Sequence, residues 1–247
     1  VNDFKTKYAG SYLGIVWAFV QPIVTILVYW FVFSVGLKSG NVDKYPFVLY
    51  LTTGIIPWFF FQDALNGGTN ALLEYNYLVK KVVFKISILP IVKIISASFV
   101  HVFFVAFALV LCCGYGYFPT VYLLQLFYYM FCAFCFVLAL VYATSAIVIF
   151  FRDLTQIISI LLQVGVWLTP IMWDINTVMA DYPLIIRIFK LNPMYYIVTG
   201  YRDSMLGQVS VMAHVGWGLY FWVVTAVLFG IGAFVFKRLK PHFADVL

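Results

Sequence analysis

The chain has 247 residues, of which 65% are hydrophobic and 10% charged, with a mean hydropathy of +1.02. Soluble domains are roughly half apolar and about a quarter charged, so this chain has too little polar surface for water and reads as an integral membrane protein. Its net charge of +6 comes without the clustered basic tract and interleaved polar side chains of a nucleic-acid reader, so no nucleic-acid partner is expected.

Six apolar runs are long enough to cross a bilayer core as helices, which takes ~20 residues each. They cover roughly 12–37, 47–71, 87–112, 120–150, 154–173 and 211–236. Such continuous runs exclude the short alternating segments of a membrane β-barrel. The expectation is an all-α integral membrane protein, with residues 1–247 forming one transmembrane domain. The first run is too long for a signal peptide and lacks a small-residue cleavage site.

An even number of spans leaves both termini on one side. Placing them in the cytoplasm puts Lys5, Lys7, Lys80, Lys81, Lys85, Lys93, Arg152, Lys237, Arg238 and Lys240 inside. Lys38, Lys44, Arg187, Lys190 and Arg202 then lie outside. Basic loops are retained in the cytoplasm, so this orientation is the expected one.

The stretch "KTKYAGSYLGIVW" leads into the first span, and residues 1–11 read as an interfacial helix. Lys5 and Lys7 mark the cytoplasmic side, and Gly10, Ser11 and Gly14 form a GxxxG-spaced step suited to close helix packing. Within the span, Trp17, Gln21, Thr25, Tyr29 and Phe33 recur every four residues on one slowly drifting face. In the second span Gln62, Asn66 and Asn70 share a face beside Asp63, an intramembrane carboxylate that is a functional candidate by default. A structural hydrogen bond is an equally open reading of that face. Residues 72–86 place Leu73, Tyr77, Leu78, Lys81 and Val82 at helical spacing, as in a short amphipathic helix at the membrane surface or against a partner.

Cys132 and Cys135 make a CxxC in the fourth span, and Cys112 and Cys113 are adjacent. A membrane thiol oxidoreductase would use such pairs. Their apolar neighbours, with no base close in sequence, favour buried free thiols instead. The fifth span carries Gln156, Ser159, Gln163 and Trp167, nearly repeating the first span's blend of amide and aromatic groups. Amides in a bilayer must face protein or water, so the two stripes describe a shared polar path or helix-to-helix glue. A path of this kind suits sugars, whose hydroxyls bond amides and whose apolar ring faces lie against aromatic rings. Beyond the fifth span, residues 174–210 hold two apolar pieces, near 184–189 and 194–200, too short to span and read as re-entrant or interfacial helices on the outer side.

Several chemistries lack their motifs. His101, His214 and His242 have no metal-ligand spacing, no GxSxG elbow occurs, and no GxxxxGK[ST] phosphate loop is present. The chain is therefore expected to be no enzyme and to hold no cofactor or metal. Few charges within the spans also argue against an ion-coupled transporter. A passive or an externally powered conduit remains.

Motifs in order along the chain then carry a resemblance. "KTKYAGSYLGIVWAFVQPIVTILVYWFVF" supplies Lys7, Tyr8, Ser11, Leu13, Gly14, Trp17 and Pro22. "GIIPWFFF" at 54–61, "YNYLVKKVVFKISILP" at 75–90, "FFRDLTQI" at 150–157, "TPIMW" at 169–173, "NPMYYIVTGYRD" at 192–203 and "FKRLKPHFADVL" at 236–247 follow. The set resembles ABC-2 type permeases that export polysaccharides, with a type V exporter-like fold. "YWFVFSVGLKSG", "IPWFFF" and "ISILP" look most like wall teichoic acid translocation permeases, while O-antigen and capsule permeases share the frame. Phe84-Lys85 departs from the Phe-Pro of many relatives and puts the loop geometry there in doubt.

The resemblance implies a homodimer in the plasma membrane with two separate ATP-binding cassette subunits, which hold the ATP and magnesium. It implies a polyprenyl-diphosphate-linked polysaccharide as substrate. The first and fifth spans would line the channel, through Trp17, Gln21, Thr25, Tyr29, Phe33, Gln156, Ser159, Gln163 and Trp167. Lys5, Lys7 and Tyr8 would meet the lipid diphosphate, although lysines beside a helix end are also ordinary snorkelling anchors in membrane lipid. Glu74, Tyr77, Lys80, Lys81 and Lys85 would seat the loop on the ATPase. Asn192, Pro193, Tyr195, Tyr196 and Arg202 would form the outer gate. A small-molecule exporter of the same frame, a thiol oxidoreductase and an ATP-independent channel or scramblase are the competing readings.

Overall fold

The computed structural model describes residues 14–38, 41–42, 44–79 and 85–246. Gly14 opens the first run with φ +50°, a left-handed conformation that glycine adopts without a Cβ penalty. A short 3₁₀ turn, Gly14–Val16, follows, then α1 (Trp17–Trp30), and the helix ends in a π-helical stretch, Phe31–Gly36. In the turn-rich loop after the first helix, Asn41–Val42 (β1) and Tyr45–Pro46 (β2) pair as a two-residue antiparallel hairpin.

The remaining helices follow in order: α2 (Phe47–Glu74), α3 (Asn76–Val79), α4 (Leu89–Gly114), α5 (Gln125–Ile147), α6 (Leu154–Leu168), α7 (Ile175–Val178), α8 (Pro183–Lys190), α9 (Pro193–Arg202), α10 (Val215–Leu239) and α11 (Phe243–Val246). Short 3₁₀ turns precede α4, α5 and α10, and a π stretch at Asp203–Gly207 extends α9. Proline starts α8 and α9 at their first turn, where its missing N–H costs no intrahelical bond.

Among the described residues, five helical segments are long and apolar enough to cross a membrane: Trp17–Gly36, Phe47–Glu74, Ile86–Gly114, Val121–Ile147 and Val211–His242. The fifth of the six expected spans is shorter than the sequence suggests. α6 has 15 residues, roughly 22 Å at 1.5 Å per residue, against a hydrocarbon core of about 30 Å. Pro170 is the cause, since it cannot donate to the ladder and restricts the residue before it. Thr169 accordingly turns extended at φ −96°, ψ 121°.

α2 is the centre of the bundle and is buried along most of its length, touching α1, α4, α5, α6 and α9. Phe61 stacks on Phe136 of α5 at 5.6 Å, and Phe136 meets Phe221 of α10 at 6.0 Å. α10 and α5 cross closely at Gly232, where an added Cβ would lie 2.7 Å from the Ala139 carbonyl oxygen. Small residues at such crossings drive helix packing in lipid, where no hydrophobic force acts between helices. α1 sits at the edge, with only Ala18 and Ile26 buried.

Among the described residues of the expected amphipathic segment 72–86, α2 runs on to Glu74 and α3 supplies four further helical residues. Lys80 and Lys81 lie outside the described residues, as do Lys5, Lys7, Tyr8, Gly10 and Ser11.

Candidate functional site

A cavity of about 560 Å³ lies where α1, α2, α4 and α6 meet. From α1 it is lined by Trp17, Gln21, Thr25 and Tyr29, and from α6 by Gln163 and Trp167. The two stripes read from sequence thus face one volume. Trp17 and Trp167 are 46% and 51% exposed, so their ring faces are open to whatever fills that space. Pro22 also lines it. Having no N–H, Pro22 leaves the Ala18 carbonyl without its usual intrahelical donor, and Ala18 stands in the same wall.

Three of the nine expected conduit residues are not in this wall. Phe33 falls in the π stretch and stacks on Phe47 with ring centroids 5.2 Å apart. A wider π turn ends the 3.6-residue register that the stripe depends on. Gln156 is exposed at the start of α6, outside the cavity lining. Ser159 Oγ donates to the Thr155 carbonyl at 3.0 Å within its own helix. Thr25 likewise donates to the Gln21 carbonyl at 2.9 Å while remaining part of the lining.

α2 supplies a third polar wall that the two-span reading did not include. Gln62, Asp63 and Asn66 line the cavity, with Trp58, Phe59 and Phe60 above them. The helical spacing of these polar residues was visible in the sequence, but not the direction in which their face points. Asn70, one turn further, is used differently: its Oδ1 accepts from Thr155 Oγ1 of α6 at 2.9 Å. At the back of the cavity His101 of α4 shares a 2.7 Å hydrogen bond with Tyr201 of α9.

α6 is held against α2 at a second level by Gly165. A Cβ there would sit 2.8 Å from Trp58 Cη2, so only glycine admits the indole edge. At its C-terminal end, α6 stops at Thr169, whose Oγ1 accepts from Asn192 Nδ2 at 2.9 Å. Asn192 also caps α9, its Oδ1 accepting from the Met194 N–H at 3.0 Å, with Pro193 at the first helical position.

Arg202 closes the same corner. Its Nη1 donates to the Pro170 carbonyl at 2.8 Å, Nη2 donates to the Ile171 carbonyl, and Nε and Nη2 reach the Tyr50 carbonyl at 3.4 Å each. Its Cζ lies 3.6 Å from the centroid of the Tyr50 ring, within cation–π range. Gly54 makes room for the guanidinium, since a Cβ there would fall 2.6 Å from Nη2. The neighbouring Asp203 bonds His214 Nε2 at 3.1 Å. Burial raises the Asp203 carboxyl above its ordinary value, and His214 and Arg202 draw it back. Tyr196 is buried, 3.3 Å from Tyr128 Oη, which accepts from Trp222 Nε1 at 2.9 Å. The Lys190 ammonium lies 6.0 Å from the Tyr195 ring centroid.

At the opposite end of α2, Glu74 is engaged within the chain. Lys93 Nζ, on a residue 8% exposed, donates to Glu74 Oε2 at 2.6 Å and lies 5.0 Å from the Tyr75 ring centroid. Tyr77 and Lys85 are exposed. The cysteines are free thiols, with Cys112 and Cys132 buried. Among the described residues no group of His, Cys, Asp and Glu could hold a metal ion.

A family model described as ABC-2 type transporter matches residues 1–206. The chain is similar to an O-antigen export system permease protein RfbA of Myxococcus xanthus, 31% identical over 201 residues, covering 81% of this chain and 76% of that protein. Two O-antigen export system permease proteins RfbA of Klebsiella pneumoniae are 24% and 22% identical, each over the whole of this chain and 92% of their own length.

Proposed function

This chain belongs to the ABC-2 type transporter family, and from that premise we propose that it is the membrane-spanning permease of an ATP-driven exporter of lipid-linked polysaccharide, of the O-antigen kind. One observation carries the reading: Trp17, Gln21, Thr25 and Tyr29 of α1 and Gln163 and Trp167 of α6 line one cavity. Amides offer both donors and acceptors to sugar hydroxyls, and two open indole faces suit the apolar faces of sugar rings. Many weak contacts of this kind let a polymer slide, because no single one holds it. The relatives' names favour O-antigen over the teichoic acid polymer suggested by "YWFVFSVGLKSG".

Two copies enclose the path in this reading, and two ATP-binding subunits drive it. The chain contributes no phosphate loop, so hydrolysis belongs to the partner. Both termini lie in the cytoplasm, where Tyr77 and Lys85 are presented to the ATPase and Lys5, Lys7 and Tyr8 meet the lipid diphosphate. The corner formed by Asn192, Pro193, Tyr195, Tyr196 and Arg202 closes the outer end. The buried thiols leave a thiol oxidoreductase without exposed sulfur at Cys112 and Cys132.

Replacing Trp17 and Trp167 with Ala tests the conduit. Export by the permease–ATPase complex is expected to fall about tenfold per residue, equivalent to about 1.4 kcal/mol of lost contact with the moving polymer. Normal export and normal substrate-stimulated ATP hydrolysis in a stably folded double variant would reduce the stripe to packing.

A further inference from the structure

The wall residues of the cavity must move if an ATPase on the cytoplasmic loop is to drive export, and α2, which leads into that loop, packs along α6. Resting on the permease reading above, we propose that α2 and α6 move as one connecting rod, pinned by Asn70 to Thr155 and by Trp58 to Gly165, and that this rod carries the stroke from the loop to the outer gate. Asn70 and Thr155 are thereby positioning residues of the transport cycle.

The rod can be followed atom by atom. At the loop stem, Lys93 at the start of α4 donates to Glu74 at the end of α2 at 2.6 Å. The two helices that flank the loop are clamped there, so a push on the loop moves α2 and α4 together rather than splaying them. One turn up α2 from Glu74, Asn70 Oδ1 accepts from Thr155 Oγ1 in the first turn of α6. The second Asn70 function is intrahelical, Nδ2 donating to the Asn66 carbonyl at 3.0 Å, which fixes the amide so that its oxygen faces Thr155. Near the other end of α6, the Trp58 edge fills the notch at Gly165. Two fixed points on one pair of helices prevent both sliding and hinging between them.

The outer end of the rod is attached as firmly. Thr169 accepts from Asn192, and the carbonyls of Pro170 and Ile171 accept from Arg202. Displacement of α6 therefore displaces the α9 corner. α1, by contrast, has only Ala18 and Ile26 buried, so the cavity opens or narrows between a fixed rod and a less deeply packed α1. Discrete hydrogen bonds and packed side chains are the physical means by which distant sites are coupled.

The test is a double-mutant cycle on coupling, using Asn70→Ala and Thr155→Val in the complex with its ATPase, reconstituted in proteoliposomes. The probe is a fluorescent undecaprenyl-diphosphate carrying a neutral hexose oligomer, and the readout is oligomer moved per ATP hydrolysed. Each single variant is expected to lower that ratio about fivefold while ATP hydrolysis and the thermal midpoint stay near the parent's. The double variant is expected to be no worse than the worse single one, because both remove the same bond. Thr155→Ser, which keeps the hydroxyl, is expected to restore the ratio. An unchanged ratio, or losses that multiply in the double variant, overturns the rod. Should the parent complex move no oligomer at all, the export reading itself fails, and the two failures are distinct.

Discussion

Arg202 places a cation inside an apolar bundle with backbone oxygens as its hydrogen-bond acceptors. Three carbonyls, from Tyr50, Pro170 and Ile171, accept its N–H groups, and the Tyr50 ring covers one face. Charged groups at membrane depth are tolerated only with such partners. Lys would not replace it, because an ammonium cannot reach three carbonyls in a fixed planar fork or lie flat on a ring. Arg202→Lys is expected to lower the thermal midpoint and export together. Gly54→Ala should give the same outcome from the opposite side, as its Cβ would stand 2.6 Å from Nη2. The expected cost is about 1–3 kcal/mol, the penalty for leaving buried polar groups unpaired or strained. Thermal unfolding of the detergent-solubilised protein measures it, and a midpoint within one degree of the parent's would show that the corner tolerates a displaced guanidinium.

At the scale of elements, α6 is held by a contact that glycine alone permits. Gly165→Ala is expected to part α6 from α2, because the Trp58 edge and the new methyl group would occupy one place. Export should fall, and Trp58→Phe in the same chain should recover part of it by vacating the notch. No recovery would mean that the notch does not set the helix spacing. Much of this architecture is written locally. The four-residue recurrence of Trp17, Gln21, Thr25 and Tyr29 follows from helical period alone, and all four share the cavity. Phe33 leaves the cavity lining because the π stretch at 31–36 breaks the register, and no residue pattern there announces it. Gln62, Asp63 and Asn66 were visible as a polar face, but whether that face meets protein or a cavity depends on α1 and α6 arriving from elsewhere in the chain. The capture of Glu74 by Lys93, and of the Pro170 and Ile171 carbonyls by Arg202, joins residues 19 to 32 positions apart. Such pairings arise from tertiary packing, and no local pattern encodes them.

For the whole molecule, the decisive fact is that amides stand on an open side of the bundle. Gln21, Gln62 and Gln163 are exposed in the isolated chain, yet hydrocarbon would leave their donors and acceptors unsatisfied at a cost of several kcal/mol each. In the export reading proposed above they face a second copy across a watered path, whereas the apolar exposed residues of α10, such as Leu219 at 68% and Val223 at 55%, are the ones suited to lipid. This partition is measurable. In a chain with Cys112, Cys113, Cys132 and Cys135 replaced by Ala, single cysteines at Gln163, Trp167, Leu219 and Val223 would be exposed to a polar maleimide. Export should survive the cysteine-free background, since the thiols have no role in the path. Gln163→Cys and Trp167→Cys should label rapidly and Leu219→Cys and Val223→Cys slowly, by about tenfold or more, because thiolate forms in water and not in lipid. A two-atom-spaced bifunctional reagent should then join copies through the α1–α6 side and leave the α10 side monomeric. Equal labelling at all four positions would place α6 against lipid and remove the physical basis for a conduit between copies.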